Sequence, residues 1–567
     1  MKSISIFNEV LGPVMRGPSS SHTAASYNLA VLARALLGDD RLRAATFTFD
    51  PSGSYGKVFQ EQGSDLAFAA GLMGWRLTDE RFGQAVESAA TDGLAMRFVV
   101  APLPEADHPN TVRIELASRR GRTLRAVGRS IGGGSIEVVT LEGWPVLLTG
   151  ECHEVLVEAR GESATGGTGA AGVAGIAAVA GDKNTHAKSD TKAEDEILCL
   201  LTGDGQGHAS VRAQRHCANT SKIGNAGDDT VLYIAERDSA LPAATRAQLE
   251  ALPQVWRVWA GCPLCFVKKG QRKGQPQNEQ ALFDSAAAMV ALAQAQKISL
   301  GEVAQCYEAR LLEQSAADVS AEMDRRLSIM ENAVRDGLEE SPPTMQLLRP
   351  TAGKVFAAEA AGRVAIGGPH TRAAARAMAA MHINCGMGVV CAAPTAGSAG
   401  VLPGVAVTLL EELGVPRKQV VRGLLAAGAV GVVLAERATF AAEVAGCQVE
   451  IGAAGAMAAA LVVEATGGSA QEAADAAAIS FQNTMGSVCD LVQGIVEIPC
   501  HTRNAVAASA AFVCADLILG GYENPIPLDE TIDAVYQVGK QLPAELKVTA
   551  LGGLALAPSA KALKRQR

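Results

Sequence analysis

Three cysteines in the C-terminal half carry the strongest chemical signal in this chain. Cys447 sits in Ala445-Gly446-Cys447-Gln448, Cys489 in Ser487-Val488-Cys489-Asp490, and Cys500 in Ile498-Pro499-Cys500-His501, just before Arg503 and Asn504. Thiolates are soft ligands suited to iron–sulfur clusters, and three of them leave one iron of a four-iron cubane without a protein ligand, free to act as a Lewis acid. The competing reading is a set of buried structural thiols, since cysteine is among the most buried residue types. Spacing alone leaves both open. Cys262 and Cys265 form a lone CxxC whose nearest candidate partners are His216 and Cys217, and they read as ordinary thiols near the end of a strand. Cys385 and Cys391 gain no role from their spacing.

A second group lies near the N-terminus. Gly17-Pro18-Ser19-Ser20-Ser21-His22-Thr23 places four hydroxyls, an imidazole and a run of amides just before a helix expected to begin near Ala24. Helix N-termini present unpaired N–H groups, so this is either a small-anion site or an N-cap with spare serines. A hydrolase pairing Ser21 with His22 ranks last, because adjacent side chains rarely face each other and no GxSxG elbow is present. Further on come Asp107-His108-Pro109-Asn110, and Gly132-Gly133-Gly134, whose backbone freedom implies a turn, a bulge or a close ligand approach, a plain turn being the commoner case. In the C-terminal half, Pro394-Thr395-Ala396-Gly397-Ser398-Ala399-Gly400 interrupts helical sequence and turns its backbone beside Thr395 and Ser398. A GxGxxG match at Gly167, Gly169 and Gly172, with Asp190 downstream, fails as a dinucleotide site because no alternating strand–helix repeat follows.

These groups need a large scaffold. At 567 residues, with 48% hydrophobic and 19% charged residues, the chain can fill several cores. With 50 Lys+Arg against 59 Asp+Glu and a net charge of -9, it has no global basic field, so nucleic acid is not an expected partner. The first residues lack a secretory signal, which places the protein in the cytoplasm, where cysteines stay reduced. The longest apolar stretches, such as Gly423 to Ala435, fall short of the ~18–20 residues that cross a bilayer, so they read as buried helices and no membrane partner is expected.

The expected architecture has three parts. Residues 1–150 form an α+β domain with strands at Ala45 to Phe49, Thr111 to Leu116 and Ile136 to Thr140, and helices at Ala25 to Leu37 and Asp65 to Gly74. Residues 151–267 form a small βαββαβ sandwich. Its strands are expected at Val155 to Val157, Ile197 to Leu201, Val231 to Ile234 and Val255 to Trp259, with a helix at Leu241 to Leu252 and polar, mobile insertions at Lys183 to Asp195 and Asp204 to Gly227. Residues 268–280 are a linker, and 281–567 read as all-helical, with Leu282, Ala286, Met289 and Ala293 on one apolar face and small residues that let helices pack closely. Such apolar helices suit a homodimer.

Taken together, these residues resemble the iron–sulfur L-serine dehydratases (L-serine ammonia-lyases). The match runs in order along most of the chain: GPSSSHT, HPN and GGG in a β-type half, then APTAGSAGVLPG, AGCQ and the cysteines before Arg503-Asn504 in an α-type half. The intervals of 42 residues from Cys447 to Cys489 and 11 from Cys489 to Cys500 agree with the family pattern. The resemblance implies a 4Fe-4S cluster on Cys447, Cys489 and Cys500, and an ACT-like middle domain. It also implies a substrate pocket drawn from Ser19, Ser20, Thr23, Lys57, Asn110, Thr395, Gly397, Ser398, Arg503 and Asn504, with His22, His108 and Ser21 as candidate catalytic groups.

The implied reaction turns L-serine into pyruvate and ammonia, a step of amino-acid degradation that can feed gluconeogenesis. Removing water from a β-hydroxy amino acid means taking a weakly acidic Cα proton and expelling hydroxide, so it needs a base and a Lewis acid. One position departs from the family: where many members carry a histidine after the first-domain turn, this chain has Gln62, which cannot shuttle a proton near neutral pH. Elimination of water or sulfide from another small β-substituted acid, such as threonine or cysteine, is therefore the alternative within enzymes, and a non-catalytic iron–sulfur sensor is the alternative outside them.

Overall fold

The structure, a computed structural model, describes residues 4–160, 178–179, 192–202, 209–216, 230–264, 267, 281–339 and 345–566. The three GxGxxG glycines, Asp190, Cys217, Cys265 and residues 268–280 lie outside them. The molecule is mixed α/β, with a sheet-rich N-terminal region and a helical C-terminal region.

The first strand, β1 (Val14–Arg16), does not join the sheet that follows it. That sheet has six strands: β2 (Leu42–Phe49), β3 (Ala95–Val100), β4 (Thr111–Ser118), β5 (Thr123–Gly132), β6 (Ser135–Leu141) and β7 (Trp144–Leu148), in the order β3-β2-β4-β5-β6-β7. Only β2 and β3 run parallel. Alternating apolar residues of β4 and β6, among them Val112, Ile114, Ile136 and Val138, pack on the helices Ala25–Leu37 and Ser64–Met73, the period-two pattern of a half-buried sheet. The triple glycine is the hairpin turn between β5 and β6, with φ of +102, +62 and +95 at Gly132, Gly133 and Gly134. A Cβ on Gly132 would lie 2.7 Å from Ala441 N, so the turn needs glycine both for its backbone and for its approach to the helical half.

A second, five-stranded antiparallel sheet follows in the order β12-β8-β11-β10-β9, from β8 (His153–Arg160), β9 (Ala178–Val179), β10 (Ala209–His216), β11 (Thr230–Arg237) and β12 (Val255–Ala260). Ile197 to Leu201, expected as a strand, is helical within Lys192–Thr202: Ile197 and Leu201, four apart, bury one helix face. β10 occupies part of Asp204 to Gly227, expected as an insertion, because the ladder to β11 takes up its backbone polar groups. The helix Ala243–Ala251 lies within Leu241 to Leu252 as expected.

Among the described residues the C-terminal region is helical apart from β13 (Val389–Cys391), which pairs antiparallel with β1, and a lone bridge between Cys489 and Lys547. Residues 4–16 thus belong to the helical half. Ile6, Phe7, Val10 and Leu11 sit in its core, and Glu308 accepts from Ile6 N at 2.8 Å, Phe7 N at 3.1 Å and Ser5 Oγ at 2.5 Å. The expectation that no apolar stretch has spanning length is corrected. Arg417–Arg437, Cys447–Ala465 and Cys500–Leu519 are long and apolar enough to cross a membrane, but 78%, 94% and 50% of their apolar windows are buried within the protein. Flanking residues that read as stretch ends in the sequence are helical here, which lengthens each span.

Candidate active site

The three cysteines sit on separated turns, of which those of Cys447 and Cys489 dock on each other, while Cys500 lies outside the group that these two form with Glu450. Cys447 opens a short turn behind Gly446, and this turn docks on the segment before Cys489: Gln448 N donates to Ser487 O at 3.2 Å, and Gly486 N to Gln448 Oε1 at 2.8 Å. Cys489 N donates to Leu546 O at 2.8 Å and its carbonyl accepts from Val548 N at 3.0 Å, which ties it to a late crossing segment. Cys500 is the first residue of the helix Cys500–Leu519. All three are buried. The ligand atoms of Cys447, Cys489 and Glu450 lie within 4.8 Å of one another, a group that can hold a metal ion.

The electrostatics of this corner fit a positively charged occupant. A hydrogen bond from Cys447, then burial, pushes the Cys489 thiol well above the ordinary range; burial and the nearby Cys447 do the same for Cys500. Burial lifts Glu450 to about 7 against a 2.5 Å hydrogen bond donated by Thr395 Oγ1. Soft sulfur donors that repel each other as thiolates are the donor set an iron–sulfur core satisfies. Arg503 Nη1 points at Cys447 Sγ at 3.7 Å while its guanidinium is held by Val488 O at 2.6 Å and Asp490 Oδ1 at 2.9 Å.

Asn504 holds structure rather than facing open space. Its Nδ2 donates to Gly397 O and Cys500 O, both at 2.9 Å, and its Oδ1 accepts from Gly400 N at 3.1 Å. This bolts the Thr395 to Gly400 loop to the Cys500 helix. Thr395 and Ser398 hydroxyls are 3.1 Å apart, and a Cβ on Gly397 would sit 2.5 Å from Glu450 Oε1, so only glycine lets the carboxyl lie there.

The N-terminal hydroxyl run is a turn over Ser20–Ala24 leading into Ala25–Leu37. Ser19 Oγ accepts from His22 N at 3.2 Å, so one hydroxyl of the run serves as an N-cap. Ser20 Oγ accepts from Ala396 N at 3.3 Å, and Thr23 Oγ1 donates to Gln62 O at 2.8 Å. Ser21 Oγ donates to Glu443 Oε1 at 2.5 Å. His22 is fully buried: Nδ1 lies 3.3 Å from Glu443 Oε1, Nε2 lies 3.2 Å from Ser54 Oγ, and the ring meets Tyr55 edge to face. Burial lowers its pKa to about 4, against the pull of Glu443, so the ring is neutral near pH 7.

Between these groups lies a cavity of about 500 Å³ lined by Ser54, His108, Glu443, Leu542, Lys547 and Thr549, among others. The wall from Leu542 to Thr549 belongs to the same crossing segment that pairs with Cys489, so the cavity and Cys489 share it. Asn110 N donates to His108 Nδ1 at 3.1 Å, which leaves the proton of the neutral ring on Nε2. The Asn110 side chain is buried with Nδ2 and Oδ1 unpaired. Lys57 is exposed on the helix Ser54–Val58 and is not part of the lining. Gln62 is buried, donating to Gly494 O at 3.3 Å.

Glu443, Glu450, Ser54, Lys547 and Thr549 were not singled out from the sequence. Glu443 and Glu450 do leave a signal, since they flank Cys447 at four and three residues, about one helical turn to either side. Ser54, Lys547 and Thr549 leave none, because they meet only through the crossing segment.

A family model described as serine dehydratase alpha chain matches residues 280–555. The chain is 39% identical over 285 residues to the probable L-serine dehydratase alpha chain of Bacillus subtilis (strain 168), covering 50% of this chain and 95% of that one. It is 35% identical over 249 residues to the L-serine dehydratase alpha chain of Peptoniphilus asaccharolyticus, covering 44% and 85%. It is also 36% identical over 157 residues to the probable L-serine dehydratase beta chain of Bacillus subtilis (strain 168), covering 28% and 69%.

Proposed function

Since the chain belongs to the L-serine dehydratase family and is a lyase with alpha- and beta-type halves on one polypeptide, we propose that it dehydrates L-serine to pyruvate and ammonia in the cavity between His108 and Lys547. Cys447, Cys489 and Cys500 would hold a 4Fe-4S cluster. The observation that supports this reading is the pairing of buried Cys489, grouped with Cys447 and Glu450, with a segment that also walls a cavity lined by His108 and Glu443. When bound, such a cluster supplies Lewis acidity toward the leaving hydroxyl.

The chain's own residues account for the proton. Ser54 lines the cavity and touches His22 Nε2, and Glu443 stands at Nδ1. In this line Ser54 Oγ, whose proton rests on Val548 O at 3.1 Å, turns it to His22 Nε2 as it takes the Cα proton, and Glu443 stabilises the imidazolium, as the acid does in serine–histidine–acid triads. Burial leaves His22 neutral at pH 7, with Glu443 at Nδ1 offsetting its weakness as a base once the proton arrives. His108, with its proton on Nε2, donates into the cavity toward substrate oxygen. Loss of water gives aminoacrylate, which tautomerises and hydrolyses.

Anaerobically reconstituted protein, offered L-serine, L-threonine and L-cysteine in parallel, should release pyruvate and ammonia from L-serine. Release of 2-oxobutanoate from threonine or sulfide from cysteine in preference would reassign the substrate. Protein that holds iron and sulfide yet turns over none of the three would sink the reading in favour of a sensor.

A further inference from the structure

Cys447 and Cys489 stand close enough to share one ion. Their sulfurs and a Glu450 oxygen lie within 4.8 Å of one another, and Cys447 hydrogen-bonds to Cys489. Cys500 is outside that group. A tetrahedral zinc ion holds sulfur at about 2.3 Å and carboxylate oxygen at about 2.0–2.2 Å, which puts two such donors roughly 3.5–3.8 Å apart. Shifts on the order of 1 Å therefore close these three donors on one ion. Thiolates that bind separate irons of a cubane stand further apart, because a sulfide-bridged edge lies between them.

Glu450 is placed to be the third ligand, half-buried where both cysteines are buried. Thr395 Oγ1 donates to its Oε1 at 2.5 Å, an orienting bond of the kind that metal-bound carboxylates keep, and the missing side chain of Gly397 leaves room for it. The charges beside the group are Arg503, whose Nη1 lies 3.7 Å from Cys447 Sγ, and Asp490, which holds that guanidinium at 2.9 Å. These two offset each other. Two thiolates and a carboxylate then leave a negative charge that a divalent ion matches. Two sulfurs among three donors select a zinc-like ion over magnesium or calcium.

We infer that Cys447, Cys489 and Glu450 form a three-ligand site for one zinc-class divalent ion, without Cys500, and that this single-ion state excludes the cluster. The site needs no substrate and does not depend on the dehydratase reading. It makes zinc an inhibitor that acts on assembly: the ion takes two of the three thiols proposed for a cubane, and zinc stands above iron(II) in affinity for such ligands.

The test uses the full-length, metal-free protein. Cobalt(II), a spectroscopic stand-in for zinc, should bind at one per chain, with tetrahedral visible bands and near-ultraviolet charge transfer from thiolate, and zinc should displace it. By calorimetry, Cys489→Ala and Glu450→Gln should each weaken zinc by about tenfold or more, at least the loss that follows removal of an outer-shell partner. Cys500→Ala should bind zinc as wild type does. Zinc-loaded protein given iron and sulfide anaerobically should build no cluster until a chelator is added. No thiolate band in wild type, undiminished affinity in Glu450→Gln, or a loss in Cys500→Ala equal to that in Cys489→Ala would overturn the site, and cluster assembly unhindered by zinc would overturn the exclusion. The wild-type spectrum and the half-buried Glu450→Gln position decide the matter even if a cysteine variant fails to fold. Pyruvate release without a single-ion state removes this inference alone, whereas a single-ion state in protein that never turns over serine removes the dehydratase reading and leaves the zinc site standing.

Discussion

The two faces of the site are built on opposite principles. On the N-terminal face, Ser19, Ser20, Ser21, His22 and Thr23 each have partners within the protein, and burial holds the imidazole neutral. On the helical face, burial raises the cost of charging Cys500 and Glu450 and adds to that of Cys489, and the Glu450 carboxyl raises it further for both thiols. The first face is paired as folded; the second is a donor set that a cation would satisfy. Buried hydrogen-bond networks are stable when every member is paired, and ligand sites are where that pairing is left open.

That contrast can be broken from either side. The largest effect is expected at the helical face: Cys489→Ala or Cys500→Ala should lose iron and fall to background activity together, while the circular dichroism of the metal-free protein stays unchanged. Full cluster content in either variant would refute the ligand assignment. Next, His22→Gln should keep its iron and lower kcat by about 10²–10⁴-fold, the usual worth of a general base. An iron loss comparable to that of the cysteine variants would show that the faces are not separable.

Smaller effects sharpen the same division. His22 binds protons less tightly folded, at about 4, than unfolded, at 6.5. Between those values the unfolded chain holds more protons, so stability is fully present above pH 6.5 and declines as pH falls toward 4, by about 3 kcal/mol in all. Denaturant midpoints of wild type and His22→Gln across pH 7 to 4 should therefore diverge, with the flatter profile in the variant. Smallest, Asn504→Ala removes a bolt between the Thr395 loop and the Cys500 helix and should cost about 1–3 kcal/mol in denaturant unfolding. A change within error would mean that the loop is held elsewhere.

How much of this was legible depended on whether the signal was local. The helix Ala25–Leu37 and the strands around Phe47, Ile114 and Val138 follow from periodicity alone. Ile197 to Leu201 did not, because a five-residue apolar run fits a strand as well as one helical turn. The cysteines stood out by residue type. Lys57 entered only through the resemblance, and its place on an exposed helix face takes it out of the cavity lining. Glu443 hid in an alanine-rich stretch, and Lys547 lies far along the chain from everything it faces; only the tertiary path of residues 542–549 joins them. The triple glycine read as a turn, a bulge or a close ligand approach; it is a turn, and what it approaches is the protein's own backbone at Ala441.

The pairing of β1 with β13 sets an order of events during synthesis. Val14–Arg16 must meet Val389–Cys391, about 375 residues later in the chain. At translation rates of roughly 5–20 residues per second, the N-terminal arm waits on the order of 20–75 s before its partner leaves the ribosome. Throughout that interval Ile6, Phe7, Val10 and Leu11 have no helical core to enter. The newborn arm thus stays exposed while most of the chain is made, and a group held by Cys447, Cys489 and Cys500 as proposed would have to await nearly the whole polypeptide.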